Sequence, residues 1–388
     1  MINMRKIILF IVIAVLVSCD NKSVSKDKDK TEKECIEIKL NPHRGNEIKL
    51  SSIIDSLAII RMETSSDCLL GDILKIEIDD NYFIQSASDK LVYVFNSYGK
   101  YVNTIGRIGQ GREEMGSPQH FSMNKTTKEI WYITDFRAIK KYAYDGRYTG
   151  SEEMKVLCHN FKISDDGDRY FYTSKIHNYL DDGTVVNADL WIENGQKDNK
   201  YLFEYNPDIY CNGCLAFDSK LQFNELDKNV SFTKSFNDTI YYVSHKQITP
   251  AYLVDFNSNK ATADIEVMSG ENILKYLLNN PDKATYVHNV IETEQLLRFN
   301  YVMGTQLYDV FYNKETGDHR EGVLNNDLLE GKIKIMGYRD NKLIAIMNPT
   351  DICFNDKVTA YCSLSTITAL KEIKDDDNPI ILEMKINI

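Results

Sequence analysis

The side chains best suited to do chemistry are cysteines, and two of them stand at a spacing that chemistry uses. Cys211-Asn212-Gly213-Cys214 has the separation of a zinc half-site or a redox pair. Structural zinc needs a second ligand pair nearby, and the sequence offers no other CxxC and no close histidine pair. A redox role needs the motif at a helix start in a βαβ unit. A local disulfide or two unpaired thiols is the plainer reading, so neither metal nor cofactor is expected. Asp165-Asp166-Gly167-Asp168 gathers carboxylates but lacks the spaced acidic frame and distal glutamate of a calcium loop, and reads as a hairpin turn. Gly106-Arg107-Ile108-Gly109-Gln110-Gly111 resembles a phosphate cradle only superficially. A cradle opens a helix so that free N–H groups converge on the anion, whereas strands are expected on both sides here. The glycines then serve a turn that needs positive φ. His43, His120, His159, His177, His245, His288 and His319 are scattered singly, and no HExxH, GxSxG or P-loop occurs. No catalytic residue can be named.

A different chemistry is written at the N-terminus. Arg5 and Lys6 precede an apolar run from Ile7 to Val17, followed by Ser18 and Cys19. That run is too short for a permanent membrane span, which needs about 20 residues. Its length and flanks fit a secretory signal over residues 1–18. Leu16-Val17-Ser18-Cys19 resembles the bacterial lipobox, in which the cysteine thiol receives a diacylglyceryl group, held as a thioether, before cleavage. The alternative is an ordinary cleaved signal beside a chance cysteine. Asp20 to Glu34 reads DNKSVSKDKDKTEKE, with Val24 its one aliphatic residue. Such a segment cannot bury enough apolar surface to offset the entropy of ordering. Residues 19–46 are therefore expected to form a lipidated tether, with the folded body over 47–388.

The chain has 46 basic and 57 acidic residues, a net charge of −11. Loss of residues 1–18 removes Arg5 and Lys6 and makes it −13. That balance argues against nucleic acid or an anionic membrane surface as a partner. After Cys19 an odd number of cysteines remains, in no disulfide framework, and most are expected to be buried thiols.

The elements that must position any site are strands. From Ile73 to Ile105, four short runs rich in Ile, Val, Tyr and Phe are separated by turn signals such as Asp79-Asp80-Asn81 and Asn96 to Gly99. A four-stranded antiparallel sheet of this kind needs neighbours to cover its faces. A repeat supplies one. Phe95-Asn96-Ser97-Tyr98-Gly99-Lys100-Tyr101 is echoed by Tyr142-Ala143-Tyr144-Asp145-Gly146-Arg147-Tyr148, and Gly99 and Gly146 lie 47 residues apart, within the range of propeller blades. Later copies are weaker, at Asp165–Tyr172, Asn237–Val243, Gln306–Gly317 and Lys332–Met347. The roughly 340 residues after the tether, at about 50–55 per blade, give six or seven blades. Ser269–Leu278 and Ser363–Ile373 read as short helical inserts. Pro379–Ile388 is expected to pair near Ser56–Glu63 and close the ring.

Thr104 to Gly111, with Pro118 and Ile130-Trp131-Tyr132 beyond, resembles the NHL-type propeller repeat. Phe232 to Tyr241, Thr249-Pro250-Ala251-Tyr252 and Asn378-Pro379 are similar to stretches of the six-bladed β-propeller lipoproteins of Bacteroidota, a likeness that extends over about residues 47–388. Arg112-Glu113-Glu114-Met115 departs from the Gly-Pro-Gly-Glu of many relatives. The resemblance implies an all-β, six-bladed propeller of four-stranded antiparallel blades and a cell-envelope location, with no established reaction.

Three functions stay open, one of them a structural subunit of an outer-membrane complex. The first is an outer-membrane lipoprotein, on the periplasmic or surface face, whose propeller binds a small molecule, a glycan or an envelope protein. Arg107, Gln110 and Arg112 are the candidate ligand-binding residues, long polar side chains on the most distinctive loop between blades. Arg107 bracing two blades is the alternative for that residue. The second function is a hydrolase or lyase with a metal-assisted site in the central channel. Replacing Cys19 with alanine is expected to abolish incorporation of radiolabelled fatty acid, and label persisting in that variant would overturn the anchor.

Overall fold

Alternating apolar residues and acidic or glycine turns fold the chain into groups of four antiparallel strands, as seen in the computed structural model, which describes residues 34–135, 137–195, 198–207 and 221–388. Cys19 and the Cys211/Cys214 pair lie outside these residues. Blade 1 holds Ile73–Ile78, Tyr82–Ser86, Val92–Phe95 and Tyr101–Ile105. Blade 2 holds Pro118–Asn124, Glu129–Thr134, Ala138–Ala143 and Tyr148–Glu153; blade 3 holds Asn160–Ile163, Arg169–Tyr172, Ala188–Glu193 and Asn199–Glu204. Blade 4 holds Phe223–Leu226, Asn229–Thr233, Thr239–Val243 and Ile248–Asp255; blade 5 holds Ala284–Glu292, Leu296–Met303, Gln306–Asn313 and His319–Asn325. Blade 6 combines Lys334–Arg339, Lys342–Met347 and Ile380–Ile386 with Ile54–Arg61 from the start of the chain. The fold is a six-bladed β-propeller.

The two matching heptads become the same turn, between the third and fourth strands of blades 1 and 2. Each carries a bulge, at Val94/Phe95 and at Lys141/Tyr142, and each places its glycine at positive φ, +76° for Gly99 and +86° for Gly146. A side chain there would be strained whatever the space. The helical inserts also form where expected. Ser269 caps α1 (Gly270–Asn279) and Ser363 caps α2 (Leu364–Lys371), each hydroxyl accepting an N–H from the first turn.

Both faces of each blade are apolar, so every gap between blades is a core. Phe83, Val92 and Ile105 of blade 1 meet Phe121, Ile130 and Tyr132 of blade 2. Trp131 and Ile133 meet Phe161 and Trp191; Tyr172 and Leu190 meet Val230 and Phe232. Tyr252 and Val254 meet Val287 and Phe299; Ile291 and Phe311 meet Leu343 and Leu382; Met336, Ile344 and Ile381 meet Ile76 and Tyr82 and complete the circle. Closure is made by residues far apart in sequence, with Ile380 opposite Arg61 and Ile386 opposite Ile54.

The folded body begins earlier than residue 47, which corrects the boundary expected for the tether. It spans Cys35–Ile388. Ile36–Lys39 adds a parallel fifth strand to the outer edge of blade 4, and Glu47–Lys49 does the same for blade 5. The reason is apolar: Ile38, Leu40, Ile48 and Leu50 are buried, covering edges that would otherwise be open. The cysteines are also less buried than expected, since Cys68 is buried while Cys35 and Cys353 are exposed. Among the described residues no helix is long and apolar enough to cross a membrane.

Two truncations separate these roles. Removing Pro379–Ile388 takes out the strand that joins blade 6 to Ile54–Arg61, and cooperative unfolding should be lost. Ile38→Ala should instead lower stability by about 2–5 kcal/mol, the usual cost of a buried aliphatic truncation, with the transition still cooperative in a chemical melt. A ring that melts normally without its last strand would refute the closure.

Candidate functional site

The first strand of each blade is its inner edge, and backbone groups on that edge face the channel without a strand partner. Buried polar groups must be satisfied, and side chains of neighbouring blades do so here. Lys75 Nζ of blade 1 donates to the Phe121 carbonyl of blade 2 at 2.7 Å, and Glu77 accepts the Met123 N–H at 3.0 Å. Ser122 accepts the Ile163 N–H, Asn124 donates to the Ser164 carbonyl, and Asp165 accepts the Lys125 N–H. Glu225 of blade 4 accepts the Asp165 N–H, and Asn224 accepts the Glu292 N–H of blade 5.

The same side chains reach past their neighbours. Lys162 of blade 3 lies 3.0 Å from Glu225 of blade 4 and 3.8 Å from Glu77 of blade 1, and Lys75 is 2.7 Å from Glu77. Tyr338 of blade 6 donates to the Glu225 carbonyl at 3.0 Å. Blades 1, 3, 4 and 6 are thus tied across the channel. Burial alone would raise the Glu77 carboxyl, but Lys75, Lys162 and the Met123 N–H outweigh it and hold it below its ordinary value. Burial alone would lower the Lys162 ammonium, and Glu77 and Glu225 outweigh that and hold it above its ordinary value. Glu383, Arg339 and Lys342 form a second charge cluster at the rim, where Tyr82 donates to Glu383 at 2.6 Å.

Around this network opens a cavity of about 730 Å³, lined by the inner strands and by the turns that follow them. Every first strand runs toward the same end of the ring, so those turns form the mouth. Asp79 and Asp80 come from blade 1, Lys125 from blade 2, Asp165 from blade 3, Asp227 from blade 4 and Asp340 from blade 6. Asp165-Asp166-Gly167-Asp168 is the hairpin turn expected, with Gly167 at φ +89°.

Arg107, Gln110 and Arg112 sit elsewhere. The fourth strand of a blade runs away from the mouth, so the loop after Ile105 emerges at the opposite end. All three side chains are exposed, Arg107 by 81 %, and its contact is Glu114 at 3.9 Å. None of them lines the cavity. The residues that do line it were missed, although a signal existed. Glu77, Glu225 and Tyr338 each stand two residues before a turn aspartate, Asp79, Asp227 and Asp340, near the end of a blade's first strand.

The cross-channel network makes stability depend on pH in two ways. A depressed carboxyl such as Glu77 contributes stability that is present above its unfolded value of 4.5 and lost as pH falls through its lower folded value. A raised ammonium such as Lys162 contributes stability that is present below 10.5 and lost as pH rises through its folded value. Glu77→Gln should therefore show a smaller fall in melting temperature than the parent protein on acidification below about pH 4.5. Lys162→Met leaves two carboxylates without their buried partner and should cost about 3–5 kcal/mol near neutrality. Identical acid profiles for parent and Glu77→Gln would show that the network does not carry this dependence.

Structural comparison agrees with this architecture. A Bacteroides fragilis protein described as exported aligns with a TM-score of 0.72 at 20% identity, covering 91% of this chain and all of its own length (100%). A member of the DUF4221 family from Bacteroides vulgatus aligns at 0.52 with 5% identity, covering 86% of this chain and 97% of its own. At these identities the likeness shows the fold alone. No curated protein matches the sequence. Residues 33–385 match the family described as Domain of unknown function (DUF4934), and the chain belongs to that family.

Proposed function

We propose that this chain is an exported envelope lipoprotein, anchored through Cys19 in the outer membrane, whose propeller binds a small molecule, glycan or envelope partner at the channel mouth. The observation that carries the reading is the cavity of about 730 Å³ lined by charged and amide side chains from several blades. Ligand sites favour such concave, largely preformed places where polar groups converge. The groups that converge here, among the described residues, include carboxylates, ammonium groups, a guanidinium, amides and a phenol, all of which recognise polar solutes by hydrogen bonding. The signal-like N-terminus supports export, as does the fold shared with a Bacteroides fragilis protein described as exported.

Native mass spectrometry of the detergent-solubilised protein, mixed with a small-molecule extract of the envelope, tests the reading. A discrete bound mass should be retained by the parent and by Arg107→Ala, and lost from an Asp227→Lys, Asp340→Lys double variant. Failure to retain any mass, or retention unaffected by the double variant, would overturn the channel mouth as the site.

A further inference from the structure

The charges at the mouth divide into those already committed and those still free. Lys75 and Lys162 are held by Glu77 and Glu225, and Arg339 and Lys342 by Glu383. Asp79 is taken by Lys128 at 2.6 Å and by the Tyr144 hydroxyl at 3.1 Å. Asp80 lies 3.7 Å from the same Lys128, and Asp165 accepts the Lys125 N–H. Asp165 has no ion pair but is half-buried and held by that N–H; among the described residues, this leaves the Lys125 ammonium and the Asp227 and Asp340 carboxylates with neither an ion pair nor a hydrogen bond, all three exposed and all lining the cavity.

Their places in the ring are not random. Lys125 follows the first strand of blade 2, Asp227 that of blade 4 and Asp340 that of blade 6. In a ring of six, blade 5 stands opposite blade 2, and blades 4 and 6 flank blade 5. The mouth therefore carries free positive charge on one side and free negative charge on the other. A simple anion would meet Asp227 and Asp340, and a simple cation would meet Lys125. A ligand with both charges, far enough apart to reach both sides, satisfies the whole set.

We propose that the cavity takes a short peptide with free termini, its carboxylate at Lys125 and its ammonium at Asp227 and Asp340. This rests on the reading of the channel mouth as the binding site. A free amino acid carries both charges on one carbon, whereas a few peptide bonds set them apart toward opposite sides of the ring. The cavity volume of about 730 Å³ lies in the range of small-ligand sites. Groups for the peptide bonds between the ends are present. Asn224 commits its Oδ1 to Glu292 and keeps its amide N–H₂ as a donor, and the Tyr338 hydroxyl donates to Glu225 and keeps lone pairs to accept a peptide N–H.

Isothermal titration of the detergent-solubilised protein at low salt, with trialanine, N-acetyl-trialanine and trialanine amide, decides the matter. Trialanine should bind, and each blocked form should bind at least about tenfold more weakly, the loss of one charge-assisted contact. Lys125→Ala should weaken trialanine and leave the amide unchanged. The Asp227→Asn, Asp340→Asn variant should weaken trialanine and leave the acetylated form unchanged. These side chains are exposed, so melting temperatures should stay at the parent value. Blocked and free peptides binding alike, or no uptake of trialanine, would overturn the inference. If an envelope mass is still retained at the mouth while trialanine is not, the peptide assignment falls and the binding site stands; if neither is bound, both fall.

Discussion

The structure depends on one strand pairing, that of Ile380–Ile386 with Ile54–Arg61. These segments come from the two ends of the folded chain, and their register, from Ile380 opposite Arg61 to Ile386 opposite Ile54, turns an open row of blades into a ring. The strand is buried on both faces. Ile380, Leu382 and Met384 enter the core shared with blade 5, while Ile381 enters the core shared with blade 1. One strand thus joins two cores, and without it both would face water. Its alternation also puts Glu383 where it pairs with Arg339 and Lys342 at the rim of the channel. Closure and the arrangement of charge at the mouth are consequences of the same segment.

A ring of blades creates a problem at its centre. The inner strands present backbone donors and acceptors to the channel, and an unsatisfied buried group costs about 1–3 kcal/mol. This chain answers with long charged side chains that bond the next blade's inner strand, and those charges need partners in turn. Lys162 between Glu77 and Glu225 is the result, with the three side chains only 10–13% exposed. Polar lining here follows first from the geometry of the fold. The groups open to a ligand are the ones this task leaves over, and they lie on the turns just beyond the strands.

Much of the fold was legible in the sequence because local chemistry and ring geometry agree. The heptads around Gly99 and Gly146 announce the same turn, since only glycine accepts positive φ there without strain. Ser269 and Ser363 mark helix starts, and the alternation of Ile380, Leu382 and Met384 marks a strand with one apolar face. The belt of Ile36–Lys39 and Glu47–Lys49 was not legible. Each of its strands is short, flanked by charge, and stable only because blades 4 and 5 offer an edge to cover. The site was less legible still. Lys75, Glu77, Lys162 and Glu225 come from three blades, and nothing in a linear reading says that side chains more than a hundred residues apart share one channel.

The glycine-rich loop that carries Arg107, Gln110 and Arg112 lies at the other end of the ring from the cavity mouth. Glycines at 109 and 111 read as a turn between blades, and the space beside them is filled by the chain itself. A Cβ on Gly109 would stand 2.0 Å from Glu114 Oε2, and on Gly111 it would stand 3.0 Å away. Glu114 accepts the Gly111 N–H at 2.9 Å, and Lys140 donates to the carbonyls of Arg112 and Glu114. Met115 behind it is fully buried, under Gly106 and among Phe121, Tyr132 and Tyr142. The loop is a cradle for a carboxylate of its own, fastened to the seam between blades 1 and 2. Small residues in a repeat mark close approach, and whether a ligand or a neighbouring side chain makes that approach is decided by what the fold brings near.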